Sequence, residues 1–213
     1  MTTTALLLLG VAAVAAVVDW VAVARGNRSV EYVAKPLTMT ALVAMALALD
    51  PTDQARWLWF VAAGVFSLAG DVFLMLPRDR FIAGLVAFLF GHVCYIVGLA
   101  QGPLDLTAAL VGLVVVVGVV LLVARRILAA VRAGDQASLY GPVVGYMTVI
   151  CAMVVAAFAA GPLLAIAGAL LFFSSDATLA WQRFVAPLPS GRVAVMVTYH
   201  LGQALLLLSV AQV

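Results

Sequence analysis

The chain has 213 residues, of which 67% are hydrophobic and 9% charged, with a formal net charge of +2 and a mean hydropathy of +1.24. Soluble domains carry about 25% charged residues, so this composition excludes one and points to an integral membrane protein. The small positive charge is spread over short loops, which gives no basis for a nucleic-acid-binding patch.

Apolar runs long enough to cross a hydrocarbon core of about 30 Å recur eight times. They lie near 3–24, 33–49, 55–76, 81–100, 105–124, 140–160, 162–182 and 191–212. The expected fold is therefore an all-α, polytopic transmembrane bundle of eight helices, forming one domain over 1–213. The first run has no Lys or Arg ahead of it and no small-residue cleavage site before Arg25-Gly26-Asn27-Arg28, so it reads as a retained helix. Lys35-Pro36 marks the start of the second run, where Pro suits the first turn of a helix. The third carries Ser67 and Asp71, the fourth His92 and Tyr95, the seventh Ser174-Ser175-Asp176, and the eighth Tyr199, His200 and Gln203. Trp57, Trp59 and Trp181 suit an interfacial belt, and Gly102-Pro103, Gly141-Pro142, Gly161-Pro162 and Pro187-Leu188-Pro189 punctuate the connections. Cys94 and Cys151 fall inside apolar runs and are expected to be buried thiols, not a disulfide.

Of the eleven basic residues, only Arg56 lies in an even-numbered loop; the others fall in the odd-numbered ones. The positive-inside rule then places the odd loops in the cytosol and both termini on the opposite face of the cytoplasmic membrane. Asp71 precedes Asp176 by 105 positions and His92 precedes His200 by 108, a near-constant offset that suggests two parallel four-helix halves.

An Asp near the centre of a membrane helix costs roughly 2.5–3.5 kcal/mol, so such residues face a bundle interior or a watery cavity. With this topology Asp71 lies about six residues, or roughly 9 Å, inside the cytosolic end of its helix. Asp176, His92, Tyr95, Tyr199, His200 and Gln203 fall between that depth and the midplane, with Asp19 in the same layer and Lys35 at its mouth. His92 and Tyr95 share one helix face, as do His200 and Gln203. Ser67 and Ser174-Ser175 are placed to hydrogen-bond the aspartates or backbone carbonyls. Two Asp and two His would also make a metal shell, but no H-x-x-x-H or H-E-x-x-H spacing supports one, and no metal or cofactor is expected. There is no G-x-S-x-G elbow, P-loop or dinucleotide fingerprint.

At these residues the sequence resembles the YhhN-like family of eight-helix membrane proteins, which includes the lysoplasmalogenases. The resemblance rests on Lys35-Pro36-Leu37, the stretch from Ser67 through Gly70-Asp71 to Met75, the block from Phe81 through Gly91-His92 to Tyr95, the stretch from Gly168 to Ser175-Asp176, and the closing Tyr199-His200. It implies hydrolysis of the vinyl ether bond of a lysoplasmalogen, giving a fatty aldehyde and a glycerophospho-ethanolamine or -choline. A vinyl ether is opened by protonation of its outer carbon and capture of the oxocarbenium ion by water, chemistry that two carboxyl groups perform in glycosidases. Asp71 and Asp176 are the natural pair, with His92 or His200 as relays, Lys35 as a contact to the lipid phosphate, and Tyr95, Tyr199 and Gln203 as substrate-binding groups. The implied partners are a lysophospholipid and the surrounding membrane lipid. Two other classes fit the same polar layer: a proton-coupled transporter, and a non-catalytic lipid-binding protein.

Overall fold

A computed structural model describes residues 1–212. Among them eight helices are long and apolar enough to cross a membrane, and there is no strand. These are α1 (Thr3–Ala24), α2 (Arg28–Leu47), α3 (Gln54–Met75), α4 (Phe81–Leu99), α5 (Leu106–Ala133), α6 (Tyr140–Ala160), α7 (Leu163–Phe184) and α8 (Gly191–Ser209). Four of them start where a polar side chain accepts an orphan backbone N–H: Thr2 from Ala5, Asn27 from Val30, Asp53 from Arg56 and Asp105 from Thr107 and Ala108. Helix α6 ends on Gly161 at φ 90°, a left-handed turn that a side chain would oppose.

The helices pack as hairpins, α1 on α2, α3 on α4 and α7 on α8, while α6 packs on α4 and α8 reaches across to α1, α2 and α3. The α7–α8 approach depends on paired glycines. A Cβ on Gly168 would fall 2.8 Å from both the Gly202 carbonyl oxygen and the Leu206 nitrogen, so the backbones meet at a distance only small residues permit. The centre is filled by Phe60, Tyr95, Leu99, Ile150, Met153, Phe172, Leu206 and Leu207. Leu6, Leu7, Val14, Val114 and Leu122 point outward, as lipid-facing side chains do.

All eight runs are helical, with three local differences from the sequence reading. Helix α2 begins at Arg28 rather than near 33, because Asn27 caps it and Glu31 lies in its first turn. Pro36 is therefore inside the helix, and Lys35 lies two turns in rather than at the mouth. Helix α5 does not stop at 124: it runs to Ala133 through a π-helical segment, Val120–Ala124, so Arg125, Arg126 and Arg132 sit on helix rather than in a loop. Arg56 is buried, and its guanidinium donates to the carbonyls of Gly98 (3.2 Å) and Leu99 (3.5 Å), closing the C-terminal end of α4. The other arginines gather at the opposite end of the bundle, where Arg192 pairs with Glu31 and Arg183 with Asp79. Cys94 and Cys151 are free thiols.

Candidate active site

Helix α2 presents Arg28, Glu31, Tyr32 and Lys35 at the i, i+3, i+4, i+7 spacing of one face, running inward from the arginine-rich end. At the bottom of this ladder the Lys35 ammonium is 3.0 Å from Asp71 Oδ1, with the two side chains 6% and 1% exposed. Tyr199 of α8 donates its hydroxyl to Asp71 Oδ2 at 2.7 Å. Asp71 thus carries a cation on one oxygen and a hydroxyl donor on the other.

Asp176 of α7 is held differently. Tyr146 of α6 donates a hydrogen bond to Asp176 Oδ2, and His92 Nε2 lies 3.0 Å from the Tyr146 oxygen and 3.4 Å from the same carboxylate oxygen. The neighbouring serines do not reach Asp176: Ser174 bonds the Leu170 carbonyl and Ser175 the Val195 carbonyl. The ring of Phe172 packs edge-on to His92, Phe88 and Tyr199 and forms the floor between the two aspartates.

Both carboxylates line one cleft of about 240 Å³, walled by α2, α3, α7 and α8. Its outer rim is polar, with Arg28, Glu31, Tyr32, Gln182 and Arg192, and the Arg192 guanidinium contacts both Glu31 oxygens at 2.8 Å. A second, narrow crevice of about 60 Å³ runs between α4, α5, α6 and α7 and is almost wholly apolar, lined among others by Phe81, Leu85, Val123, Ile127, Met147 and Phe184. The two spaces share Leu74, Phe88, Asp176 and Leu179, so Asp176 stands where polar cleft meets apolar crevice. The π-helical segment of α5 forms part of the crevice wall. In the loop between α3 and α4, Asp79 has the Arg183 guanidinium 2.9 Å away, which holds its carboxyl below the usual carboxylate range.

The sequence profile of the YhhN family matches residues 30–210. The chain belongs to that family. The matched region takes in both aspartates and all of their partners, whereas α1 lies outside it. Among YhhN relatives, the chain is 33% identical over 145 residues to lysoplasmalogenase TMEM86B of Homo sapiens, an alignment covering 68% of this chain and 60% of that protein. It is 32% identical over 168 residues to lysoplasmalogenase TMEM86B of Mus musculus, covering 79% and 70%, and 30% identical over 167 residues to lysoplasmalogenase TMEM86A of Homo sapiens, covering 70% and 63%. The chain thus spans about 60% of the length of the human TMEM86B protein it matches. No solved structure matches.

Of the residues singled out in the YhhN sequence, Lys35, Asp71, Asp176 and Tyr199 line the cleft, and His92 touches Asp176 from behind it. The Lys35 ammonium faces Asp71 rather than the open rim. Tyr95 and Gln203 lie outside the cleft, buried against each other: Tyr95 donates to Gln203 Oε1 at 2.6 Å, and Gln203 Nε2 donates to Ser67 at 2.8 Å. His200 also lies outside it, its Nδ1 accepting from the indole N–H of Trp20 at 3.1 Å. Asp19 is fully buried, and neither of its oxygens has a hydrogen-bond partner among the described residues. No three His, Cys, Asp or Glu side chains converge among the described residues as a metal shell would require. The residue that sequence reasoning missed is Tyr146. It is the lone side chain of its kind deep in the α6 run, six positions from the Tyr140 start, a depth that matches the aspartates. Its depth puts it in the same polar layer as Tyr95 and Tyr199, and that depth is the signal that marks it in the sequence.

Proposed function

We propose that this chain is a membrane-embedded, lysoplasmalogenase-like hydrolase that splits the vinyl ether of a lysoplasmalogen into a fatty aldehyde and a glycerophospho-ethanolamine or -choline. The observation that carries this reading is that a polar cleft lined by Asp71 and Asp176 meets an apolar crevice at Asp176. A single-chain lipid has the same division: its head group suits the rim formed by Arg28, Glu31 and Arg192, and its hydrocarbon suits the crevice. The bond between the two, the vinyl ether, then lies beside Asp71 and Asp176. One carboxyl group protonates the outer vinyl carbon and the other takes a proton from the water that captures the oxocarbenium ion. The hemiacetal so formed collapses to aldehyde and alcohol, returning both carboxyl groups to their starting states. With Lys35 turned to Asp71, the phosphate falls to the rim arginines. The lysoplasmalogenase names of the relatives support the same activity. The arginine-rich end, and with it the cleft, faces the cytosol of the cytoplasmic membrane, and both termini lie on the other side.

The test is aldehyde release from a defined lysoplasmalogen by the purified full chain in detergent, beside Asp71→Asn and Asp176→Asn. Release by the wild type that falls by at least about 100-fold in each variant is expected, the range that loss of a general acid or base produces. Folded wild type that releases no aldehyde would replace this reading with a transporter or a lipid-binding protein.

A further inference from the structure

The two aspartates are gripped by equivalent positions in the two halves of the chain. Asp71 on α3 is held by Lys35 of the preceding helix α2 and by Tyr199 of α8. Asp176 on α7 is held by Tyr146 of the preceding helix α6 and by His92 of α4. Lys35 and Tyr146 are 111 positions apart, Asp71 and Asp176 are 105 apart, and His92 and Tyr199 are 107 apart. Each carboxylate therefore takes one partner from its own half and one from the other half, but the chemistry of the partners is exchanged. The helix before Asp71 supplies a full positive charge, whereas the helix before Asp176 supplies a hydroxyl.

The surroundings differ in the same sense. Asp71 lines the polar cleft and not the crevice, while Asp176 borders both. A vinyl ether threaded through this junction is itself asymmetric. Its outer carbon carries the hydrocarbon chain and so lies on the crevice side, and its inner carbon is bonded to the glycerol oxygen and lies on the cleft side, where water enters.

Resting on the hydrolase reading above, we infer that Asp176 is the acid that protonates the outer vinyl carbon and Asp71 is the base that takes a proton from the attacking water. In the first step the Asp176 O–H bond breaks and a C–H bond forms at the outer carbon, leaving an oxocarbenium ion between two carboxylates. Water then bonds to the inner carbon and gives its proton to Asp71. When the hemiacetal collapses, Asp71 returns that proton to the departing glycerol oxygen and the hemiacetal hydroxyl proton passes to Asp176. One water is consumed, and both carboxyl groups are restored. Lys35 positions Asp71 and provides the counter-charge for its anion, and Tyr146 with His92 positions Asp176.

Azide distinguishes the two roles, because it is an anionic nucleophile that needs no base but still needs the outer carbon to be protonated. Lysoplasmalogen consumption by purified full-length Asp71→Asn and Asp176→Asn is followed with and without sodium azide, and products are identified by mass spectrometry. Azide is expected to restore consumption several-fold in Asp71→Asn, giving an azido ether in which nitrogen is bonded to the inner carbon and the added proton sits on the outer one. It is expected to leave Asp176→Asn unchanged. Rescue of Asp176→Asn, or of neither variant, overturns the assignment, whereas a wild type that consumes no substrate overturns the hydrolase reading instead. Should Asp71→Asn fail to fold, Lys35→Met beside Tyr146→Phe carries the same comparison, with azide rescue expected in the first and not in the second.

Discussion

Replacing Lys35 with Met leaves the Asp71 carboxylate buried at 1% exposure with Tyr199 as its remaining partner. The Met side chain fills a similar volume, so the loss is chiefly that of a counter-charge 3.0 Å away. Removing one member of a buried ion pair costs about 3–5 kcal/mol, because the survivor has been taken out of water without compensation. At about 2–4 °C per kcal/mol for a chain of this size, the melting temperature should fall by about 10 °C. Removing both charges in Lys35→Met/Asp71→Asn should recover most of that loss, with a coupling of about 2 kcal/mol or more. Thermal unfolding of the four proteins in one detergent, followed by tryptophan fluorescence, closes the cycle. Effects that simply add, within about 0.5 kcal/mol, would refute the pairing as an energetic unit. The double variant should remain inactive, which separates the structural part of the pair from its chemical part.

Gly168→Ala should destabilise the chain by about 1–3 kcal/mol, since the new Cβ meets backbone atoms of α8 that cannot move aside, while Gly10→Ala, with nothing within 4 Å, should be neutral in the same melting assay. Ala177→Trp, which fills the crevice beside Asp176, should raise KM for long-chain substrates more than for short-chain ones; equal effects on both would place the hydrocarbon elsewhere. The lowered titration of Asp79 means that its ion pair with Arg183 contributes fully above the unfolded Asp value near pH 4 and is lost as pH falls below it. With Asp79 two-thirds exposed, Asp79→Asn should leave the melting temperature at pH 7 essentially unchanged, as measured by the same fluorescence scan.

Helix number and placement were legible because a hydrocarbon core imposes a length that hydropathy records directly. Depth was legible too, and it correctly set Asp71, Asp176, His92 and Tyr199 in one layer. Depth does not fix rotation about the helix axis, which is why His200, adjacent to Tyr199, turns to Trp20 while Tyr199 turns to Asp71. The start of α2 was hidden by Pro36, whose preference for a first turn competes with the side-chain cap at Asn27; the cap won, and Lys35 lies two turns into the helix as the partner of Asp71. Tyr146 was hidden because the search for paired Asp and His positions gave α6 no anchor.

One turn below the two aspartates and their partners, away from the arginine-rich end, the same helices carry a second set of side chains. Ser67 lies four positions before Asp71 on α3, Tyr95 three after His92 on α4, Phe172 four before Asp176 on α7, and Gln203 four after Tyr199 on α8. Three of them are joined by hydrogen bonds, Tyr95 to Gln203 and Gln203 to Ser67, and the fourth closes the layer with its ring against His92 and Tyr199. At about 5.4 Å per turn this layer lies directly beneath the aspartates and fixes the spacing between α3, α4 and α8 on which their geometry depends. It also sets a limit on what the cleft can do. Beyond it the bundle is filled by Phe60, Leu99, Met153, Leu206 and Leu207, so a proton or solute passing from one face to the other would have to break the Tyr95–Gln203–Ser67 chain and then part an apolar core. A site open to one face and sealed by its own scaffold suits a reaction whose substrate and products leave by the way they came, along the lipid and the cleft. Alternating access would require a second arrangement of the bundle in which this layer parts and the cleft closes.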